Sequence, residues 1–559
     1  MKTTNDKLFF VFIGFSIVSV LLIARMFYLQ VWEHNKYIYL VSKQVSNKKI
    51  SNPERGIIFD RKYKVLAMNI DSISVGASPR YIKDKELFSK VISQYIDESP
   101  AEIFKKIDNS ENFVWIKRQL NIKDSEKIQD LSIDGLIVLN ERKRYYPFNK
   151  ITSHIVGVTS IDGYGLSGIE YIYDNIIKRK NDGRNQFKIY INKKSKIQNV
   201  VLTIDSTLQY IAYREIEKAV EKYHPKKAFV VMQNPKNGEI LALVCYPSFD
   251  PNEYNFTSKD LLNPVIHEVF EPGSTFKIVT LSAALSEKYF KTDDVIFCEN
   301  GSFKFADIEI NDHIKYGYLT LEGITAYSSN IGFAKVGLKL GKENLYKWIK
   351  RFGFGSFTGC ILPGEQAGLV FSPYSKRWSL VTSPTVSFGQ GIGVTGLQLI
   401  NAFSSIANDG LLFEPIVIKE IVDENGKILW KYQPRVIRRV ILEDVAKEVK
   451  DILLKTVEYG TGKLAQVQGY NVCGKTGTAQ KIDPLTRKYS KSKYISSFCG
   501  FLPYENPHIV ILVVLDEPQT NYWASEVACP VFSNIAKETM NYLNIPQKEE
   551  DYAFTKLTY

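Results

Sequence analysis

The stretch Glu271-Pro272-Gly273-Ser274-Thr275-Phe276-Lys277 decides which fold and chemistry this sequence predicts. Its first three residues are a turn signal, and the apolar run 276–285 that follows is too long for a typical strand. We therefore predict that Ser274 opens a buried helix. Side chains three positions apart share one helix face, so Lys277 can bring its amine onto the Ser274 hydroxyl. Such a pair is typical of an activated nucleophile, because a serine hydroxyl reacts poorly until a base removes its proton.

The environment of this pair favours reactivity. A lysine shielded from water near other cations has a lowered pKa and can act as a base. The free N–H groups and positive dipole at a helix N-terminus stabilise an oxyanion. The spacing alone is weak evidence, since Ser46 and Lys49 repeat it in a polar stretch that has neither the turn nor the apolar run.

A second motif, Ser328-Ser329-Asn330, supplies a hydroxyl and an amide that can pass a proton and hold a peptide bond. Taken alone it is more typical of an ordinary helix cap, because Ser and Asn are favoured there for structural reasons.

The third motif is Lys475-Thr476-Gly477-Thr478, in a β-prone segment whose glycines suit a strand that a ligand backbone approaches closely. Lys475 and the two threonine hydroxyls are candidates for binding a carboxylate. Residues 469–476 also match a phosphate-loop pattern, but that pattern needs a helix at the Lys-Thr pair. Here we predict a polar, basic loop that ends near Tyr494, which argues against nucleotide binding.

In this order, the three motifs resemble those of the class B penicillin-binding proteins. Four earlier segments also resemble boxes of that family: 55–61, 144–147, 154–157 and 165–170. Glu271, where elongation-type relatives tend to carry proline, and Arg377-Trp378 ahead of the segment 387–391 resemble the septal, cell-division branch. The resemblance implies an α+β fold, in which a helix-flanked antiparallel sheet forms the transpeptidase domain behind an N-terminal pedestal and a single transmembrane helix.

The same resemblance implies a serine-type peptidoglycan D,D-transpeptidase that cross-links D-Ala-D-Ala stem peptides, is acylated by β-lactams and needs no metal or organic cofactor. It implies partners among division proteins, including a membrane glycosyltransferase. An elongation-type transpeptidase, a β-lactam sensor or hydrolase, and a division scaffold with dispensable catalysis stay open as alternatives. The catalytic residues implied are Ser274, Lys277 and Ser328, and the substrate-binding residues are Asn330, Lys475, Thr476, Gly477 and Thr478.

The N-terminus predicts a membrane anchor. Residues 8–24 carry no charge, and with 26–31 beyond Arg25 they approach the roughly 20 residues that cross a bilayer. No cleavage site follows, and Lys2 and Lys7 favour a tail that stays inside the cell. We predict a single-pass protein of the inner membrane with an extracytoplasmic, periplasmic catalytic domain. The predicted domains are a cytoplasmic tail (1–7), the anchor (8–31), the pedestal (32–199), the transpeptidase domain (200–545) and a polar tail (546–559).

Composition excludes other classes. The net charge of +12 is densest over 178–196, where Asn181-Asp182-Gly183 signals a turn, so we predict a solvated hairpin and no nucleic-acid partner. The six cysteines form no C-x-x-C pair and predict buried thiols, although a disulfide is chemically possible outside the cytoplasm. The histidines lie outside all three motifs, which argues against a Ser-His-Asp triad.

Local patterns also predict elements of the later domain. They are a helix over 208–223, a hairpin of strands 228–233 and 239–245, a strand over 510–515 and a closing helix over 530–543.

Overall fold

The computed structural model describes residues 2–33, 55–120, 127–128, 131, 133–178, 198–483 and 486–548. The chain forms two compact units, and each is discontinuous in sequence. The first comprises the described parts of Met1–Glu54 and Asp71–Arg142, and the second comprises those of Arg55–Ile70 and Lys143–Tyr559. Ser46, Lys49 and the hairpin turn predicted at 181–183 lie outside the described residues.

The first unit contains helix α1 (Lys2–Phe27), which continues as a π-helical turn over Tyr28–Trp32. Within the described residues, Val11–Trp32 is the one segment long and apolar enough to cross a membrane, with a mean hydropathy of 2.1 and no buried side chains. This segment overlaps the predicted anchor over 8–31.

The rest of the first unit is a small α/β arrangement. Helix α2 (Lys85–Ile92) is capped by the Asp84 carboxylate, and α3 (Pro100–Asp108) begins with a capping box made by Ser99 and Glu102. The apolar faces of both helices share one core with strand β3 (Val114–Lys117). This strand pairs with the end of β2 (Val65–Ala77), and β4 (Leu136–Tyr145) also pairs with β2.

The second unit holds the other elements. Its helices are α4 (Ser153–Val156), α5 (Gly168–Lys178), α6 (Ser206–Tyr223), α7 (Pro264–His267), α8 (Lys277–Ser286), α9 (Leu321–Ala326), α10 (Asn330–Arg351), α11 (Thr382–Val386), α12 (Gly396–Ala407), α13 (Glu443–Glu458) and α14 (Ala524–Tyr542). Its strands are β1 (Ile58–Phe59), β5 (Gln198–Leu202), β6 (Lys227–Gln233), β7 (Ile240–Tyr246), β8 (Val295–Phe297), β9 (Ser302–Phe305), β10 (Ile308–Asn311), β11 (Tyr318–Thr320), β12 (Leu411–Phe413), β13 (Ile418–Asp423), β14 (Ile428–Lys431), β15 (Val436–Arg439), β16 (Cys473–Ile482), β17 (Tyr489–Leu502) and β18 (Ile509–Asp516).

The central sheet of this unit has the antiparallel order β16-β17-β18-β6-β7. Both of its faces are covered, because Ile509, Ile511 and Val513 of β18 pack in one core with α6 and α14, while Val510 and Leu512 pack in the other with α8 and α12. Burial on both faces explains why β18 is a continuous apolar run instead of an alternating one. The predicted α+β fold with a helix-flanked antiparallel sheet is confirmed.

The family-like boxes at the start of the second unit meet around one buried carboxylate. Glu170 accepts hydrogen bonds from Arg55 Nε at 2.9 Å and from Arg144 Nε at 2.6 Å, and all three side chains are buried. Gly56 lies so close to β5 that a Cβ atom there would stand 1.8 Å from the Gln198 carbonyl oxygen. These boxes therefore form a structural cluster that fixes the segment before β1 against α5.

Most predicted elements agree with the structure, but the closing helix and the loop before Tyr494 differ from their predictions. The closing helix begins at Ala524 and contains Pro530, because the packing of its apolar face offsets the hydrogen bond lost and the steric clash that an interior proline causes. The loop predicted to reach Tyr494 is shorter, since β16 continues to Ile482 and β17 begins at Tyr489. The six cysteines are all free and buried.

Candidate active site

Ser274 lies in a 3-10 turn, Gly273–Phe276, that leads into α8. The prediction that Ser274 opens the α-helix itself is therefore wrong by one turn. The reason is local, because Gly273 adopts a φ of +55° and the Thr275 hydroxyl donates a hydrogen bond of 2.7 Å to the Pro272 carbonyl. This tight turn keeps Ser274 partly exposed at the floor of a cleft while Lys277 is fully buried.

The Lys277 amine points at the second motif. Its Nζ donates to the Ser328 carbonyl oxygen at 2.7 Å, to Asn330 Oδ1 at 2.9 Å and to Ser328 Oγ at 3.2 Å. Among the described residues it has no hydrogen bond to Ser274, which differs from the contact that the spacing predicts. Burial, and then the neighbouring Lys475 charge, hold the pKa of Lys277 well below the ordinary value for lysine. A lysine in this state is able to accept a proton.

A second buried amine reaches the same hydroxyl. Lys475 Nζ donates to Ser328 Oγ at 2.9 Å, and burial lowers the pKa of Lys475 to about 7. Ser328 therefore accepts from two lysines, and it is held there by a left-handed backbone with a φ of +61°. The arrangement links both amines through one hydroxyl.

The neighbouring Ser329 caps a helix, which is the structural role that Ser and Asn residues in this motif would have without any catalytic function. The Ser329 hydroxyl accepts from Gly332 N at 2.9 Å as the N-cap of α10, and it donates to Asp312. Asp312 also accepts from Asn330 N and Ile331 N, so its carboxylate holds the first turn of α10. One tripeptide therefore combines a helix cap with two side chains that face the lysines.

The third motif lies on β16, an edge strand of the central sheet. Gly477 allows this strand to approach the Ser274 turn, since a Cβ atom there would stand 2.8 Å from the Pro272 carbonyl oxygen. The Thr476 hydroxyl hydrogen-bonds that of Thr461 at 2.7 Å, and Thr478 Oγ1 accepts from Ala524 N at 3.1 Å. Lys475 and Thr476 lie within a strand and not at the start of a helix, which agrees with the sequence argument against a phosphate loop at 469–476.

These groups surround one cavity of about 180 Å³, which is lined by Ser274, Ser328, Asn330, Thr476 and Thr478 among others. The structure thus brings together all the site residues that the sequence predicts, with the Lys277 and Lys475 amines bonded to Ser328 and Gly477 packed on the Ser274 turn.

The residues lining this cavity that sequence reasoning missed include Asp312, His313 and Thr461. His313 packs edge-on against Trp523, with ring centroids 4.6 Å apart, and the loss of solvent and the nearby Lys277 charge lower its pKa. None of the three belongs to a periodic pattern or a short motif, so no local signal was available to find them.

Comparisons with known proteins agree with this geometry. Residues 228–537 match the family model of the penicillin binding protein transpeptidase domain, and residues 50–200 match that of the penicillin-binding protein dimerisation domain. The chain is a class B penicillin-binding protein. It therefore belongs to a family of peptidoglycan D,D-transpeptidases.

The relatives of this penicillin-binding protein cover nearly its whole length. It is 33% identical to stage V sporulation protein D of Bacillus subtilis over 98% of this chain and 88% of the relative. It is 30% identical to the peptidoglycan D,D-transpeptidase FtsI of Escherichia coli K12 over 88% of this chain and 84% of the relative. Penicillin binding protein 3 of Mycobacterium tuberculosis, solved in complex with ampicillin, is 28% identical with a TM-score of 0.70, covering 89% of this chain and 97% of that chain.

Proposed function

We propose that this penicillin-binding protein cross-links stem peptides of the septal cell wall through an acyl-enzyme on Ser274. The observation that carries the proposal is the Lys277–Ser328–Lys475 chain, in which two desolvated amines share one hydroxyl beside the cavity that Ser274 lines. Such a chain can remove a proton from a nucleophile and return it to a leaving group.

In the first half-reaction Lys277, whose neutral form is favoured because burial lowers its pKa, takes the proton of Ser274. The Ser274 oxygen forms a bond to the carbonyl carbon between the two terminal D-alanines. The N–H groups of Ser274 and Thr478 stabilise the resulting oxyanion. When the peptide C–N bond breaks, the proton passes from Lys277 through the Ser328 hydroxyl to the departing D-alanine amine.

The predicted residues that do not take part in proton transfer bind the substrate. Lys475, with Thr476 and Thr478, binds the terminal carboxylate, and Asn330 holds the donor peptide. Because the pKa of Lys475 is about 7, the arrival of a carboxylate favours its charged form. Gly477 contributes by its lack of a side chain, since the strand bearing these groups would otherwise clash with the nucleophile turn.

In the second half-reaction a side-chain amine of a neighbouring stem attacks the ester carbonyl. Lys277 takes the proton of that amine, the ester C–O bond breaks, and Ser274 recovers its hydrogen as the cross-link closes. A β-lactam enters at the first step, and its ring-opened acyl group stays on Ser274. This part of the proposal is supported by the ampicillin complex of the M. tuberculosis relative.

The cellular role follows from the anchor and the septal sequence features. We assign the protein to the inner membrane as a single-pass protein with residues 1–7 in the cytoplasm, the pedestal at 32–199 and the transpeptidase domain at 200–545 outside it, and 546–559 as a polar tail. The pedestal and anchor bind a membrane glycosyltransferase and other division proteins. The septal branch is supported by Glu271 and Arg377-Trp378.

A second candidate role is cell-wall synthesis during sporulation. It is favoured by the 33% identity, along 98% of the chain, to a relative named for sporulation stage V. Depletion of the protein in its own organism separates the two roles, because loss of a septal enzyme blocks vegetative division, whereas loss of a sporulation enzyme leaves growth intact and prevents spore maturation.

A fluorescent penicillin tests the chemistry. We expect stoichiometric covalent labelling of the full-length protein and none of Ser274→Ala. Ser282→Ala is the matched control, because Ser282 lies on the adjoining helix and its buried hydroxyl has no hydrogen-bond partner among the described residues. Full labelling of Ser274→Ala would refute the assignment of the nucleophile.

A further inference from the structure

Glu271, three residues before Ser274, joins the nucleophile turn to two other segments. Its carboxylate accepts from Gly391 N at 2.9 Å and from the Tyr489 hydroxyl at 3.1 Å and 3.3 Å through its two oxygens. Gly391 belongs to the loop after α11, and Tyr489 is the first residue of β17. We name Glu271, Gly391 and Tyr489 the Glu271 latch.

The backbone beside the latch makes the same connection. Gly273 N donates to the Gly389 carbonyl oxygen at 3.1 Å. Gly389 has a φ of +88°, and a Cβ atom on it would lie 2.0 Å from the Gly273 carbonyl oxygen. The loop 389–391, which we name the glycine loop, is therefore in direct contact with the residue that precedes Ser274, so a movement of this loop changes the position of Ser274.

The charge of Glu271 depends on these hydrogen bonds. Burial raises the pKa of Glu271, and the Gly391 N–H and Tyr489 hydroxyl act to lower it. Charged side chains share a cavity of about 260 Å³ with Glu271, but they pair with one another. Lys227 bonds to Glu268, and Lys481 bonds to Asp516 at 2.7 Å and to Glu517 at 2.8 Å.

Within the described residues, Glu271 has no ion pair of its own. Its two donors are hence the groups that stabilise its half-buried charge, and the loss of either leaves this partly desolvated carboxylate with fewer hydrogen bonds.

We propose that Glu271 is a positioning residue, which fixes the Ser274 turn in its reactive geometry by hydrogen-bonding the glycine loop and the start of β17. The inference rests on the proposed acylation of Ser274. It assigns Glu271 no contact with the reacting atoms, so its removal lowers the limiting rate of acylation and leaves the half-saturating penicillin concentration unchanged. A misplacement of about 1 Å is sufficient to slow an enzymatic step roughly 10²-fold.

The test uses the full-length protein in detergent micelles and the time course of labelling over a series of penicillin concentrations. This separates the limiting rate constant from the half-saturating concentration. We expect a fall in the limiting rate of about 10- to 10²-fold for Glu271→Ala and several-fold for Tyr489→Phe. Glu271→Gln keeps an amide oxygen that accepts from both donors, so it restores the rate to within about threefold of wild type.

Two control variants remove similar bonds elsewhere. Glu365→Ala deletes another carboxylate whose pKa burial raises, and which accepts from Thr358 N at 2.7 Å and Thr358 Oγ1 at 2.6 Å. Tyr504→Phe deletes another tyrosine–carboxylate bond, to Asp451. We expect both controls to lower the melting temperature without changing the limiting rate.

Unchanged limiting rates for Glu271→Ala and Tyr489→Phe would overturn the latch. So would a change in the half-saturating concentration alone, or an equal fall in rate for the two controls. If Glu271→Ala does not fold, Tyr489→Phe and Glu271→Gln decide the matter. Labelling of Ser274→Ala in parallel distinguishes failure of the latch from failure of the acylation chemistry on which it rests.

Discussion

Two buried clusters of the second unit each contain a pair of basic side chains. The shared partner is a carboxylate in one cluster and a hydroxyl in the other, and the pKa of a basic group is raised in the first cluster and lowered in the second. In the first, Arg55 and Arg144 share the Glu170 carboxylate, and the attraction of Glu170 and Asp174 outweighs the burial that acts to lower the pKa of Arg55. In the second, Lys277 and Lys475 share only the Ser328 hydroxyl, and burial lowers the pKa of both lysines.

The difference lies in what the buried charge does. Burying a cation is unfavourable unless an anion pairs with it, and a titratable cation without that partner loses its proton more readily. Arginine cannot respond in this way, so it suits the paired structural cluster, whereas lysine suits a site that needs a base. The contrast predicts that the arginine cluster governs stability and the lysine cluster governs rate.

The largest expected effect comes from placing an arginine in the lysine cluster. Lys277→Arg keeps a long basic side chain but fixes it in the charged form and so removes the proposed base, because a guanidinium does not deprotonate in proteins. We expect penicillin acylation to fall by about 10²- to 10⁴-fold, as measured by the labelling rate. Lys335→Arg is the control, since Lys335 is a partnered lysine of α10 that bonds to the Phe297 carbonyl at 2.8 Å and to Glu299. A near-normal rate for Lys277→Arg would place the base elsewhere.

The next largest effect is a loss of stability when the arginine cluster is broken by substitution of Glu170. Glu170→Ala leaves two buried guanidiniums without their shared carboxylate, and we expect a loss of about 3 to 5 kcal/mol in the free energy of unfolding by denaturant titration. Asp174→Asn tests the more exposed partner of Arg55 and should lose less, because its side chain is 17% exposed whereas that of Glu170 is fully buried. A loss below about 1 kcal/mol for Glu170→Ala would mean that the arginines find other partners.

A third prediction concerns pH. Acylation needs neutral Lys277, so its rate rises as pH rises through the lowered pKa of that lysine. Carboxylate binding needs charged Lys475, so it weakens as pH rises above about 7. We expect a bell-shaped pH profile of acylation efficiency, with the alkaline limb absent in Lys475→Arg, which stays charged. An identical alkaline limb in that variant would assign this limb to another group.

The smallest expected effect comes from Ser329→Ala, which we compare with substitution of its neighbour Ser328 in the same motif. Ser329→Ala removes the cap of α10 and should lower the free energy of unfolding by about 1 kcal/mol, with the labelling rate within a few-fold of wild type. Ser328→Ala removes the hydroxyl that joins the two lysines and should reduce the labelling rate far more than it reduces stability. The same ratio of effects in both variants would show that the tripeptide acts as one structural unit.

The site was predictable where its chemistry lies in contiguous residues. Ser274 and Lys277, the Ser328 tripeptide and the Lys475 strand each carry a local pattern, and their order indicates the family. The hydrogen bonds of Lys277 were not predictable, because the direction of a buried side chain is set by the elements packed around it. Asp312 and Thr461 were missed for a related reason, since each is an ordinary loop residue that only the fold brings to the cavity.

The fold shows the same limit. Turn signals and apolar runs predicted the hairpin of β6 and β7, the strand β18 and helix α6 to within a few residues. The sequence pattern predicts that the closing helix starts at Pro530, whereas tertiary packing allows α14 to start six residues earlier, at Ala524. The cluster around Glu170 was recognised only as a set of boxes, because its members are separated by up to 115 positions in sequence.

The short strand β1 affects how the chain folds during synthesis and which truncated pieces of it are stable in solution. It pairs in parallel with β5, Ile58 against Val200 and Phe59 against Val201, so a strand synthesised early must wait for a partner synthesised about 140 residues later. A recombinant piece that starts at residue 198 would keep β5 but lack β1, leaving one side of β5 as an open edge on which other chains can assemble. We expect such a piece to self-associate in solution, and expression from before Arg55 to preserve the closed edge.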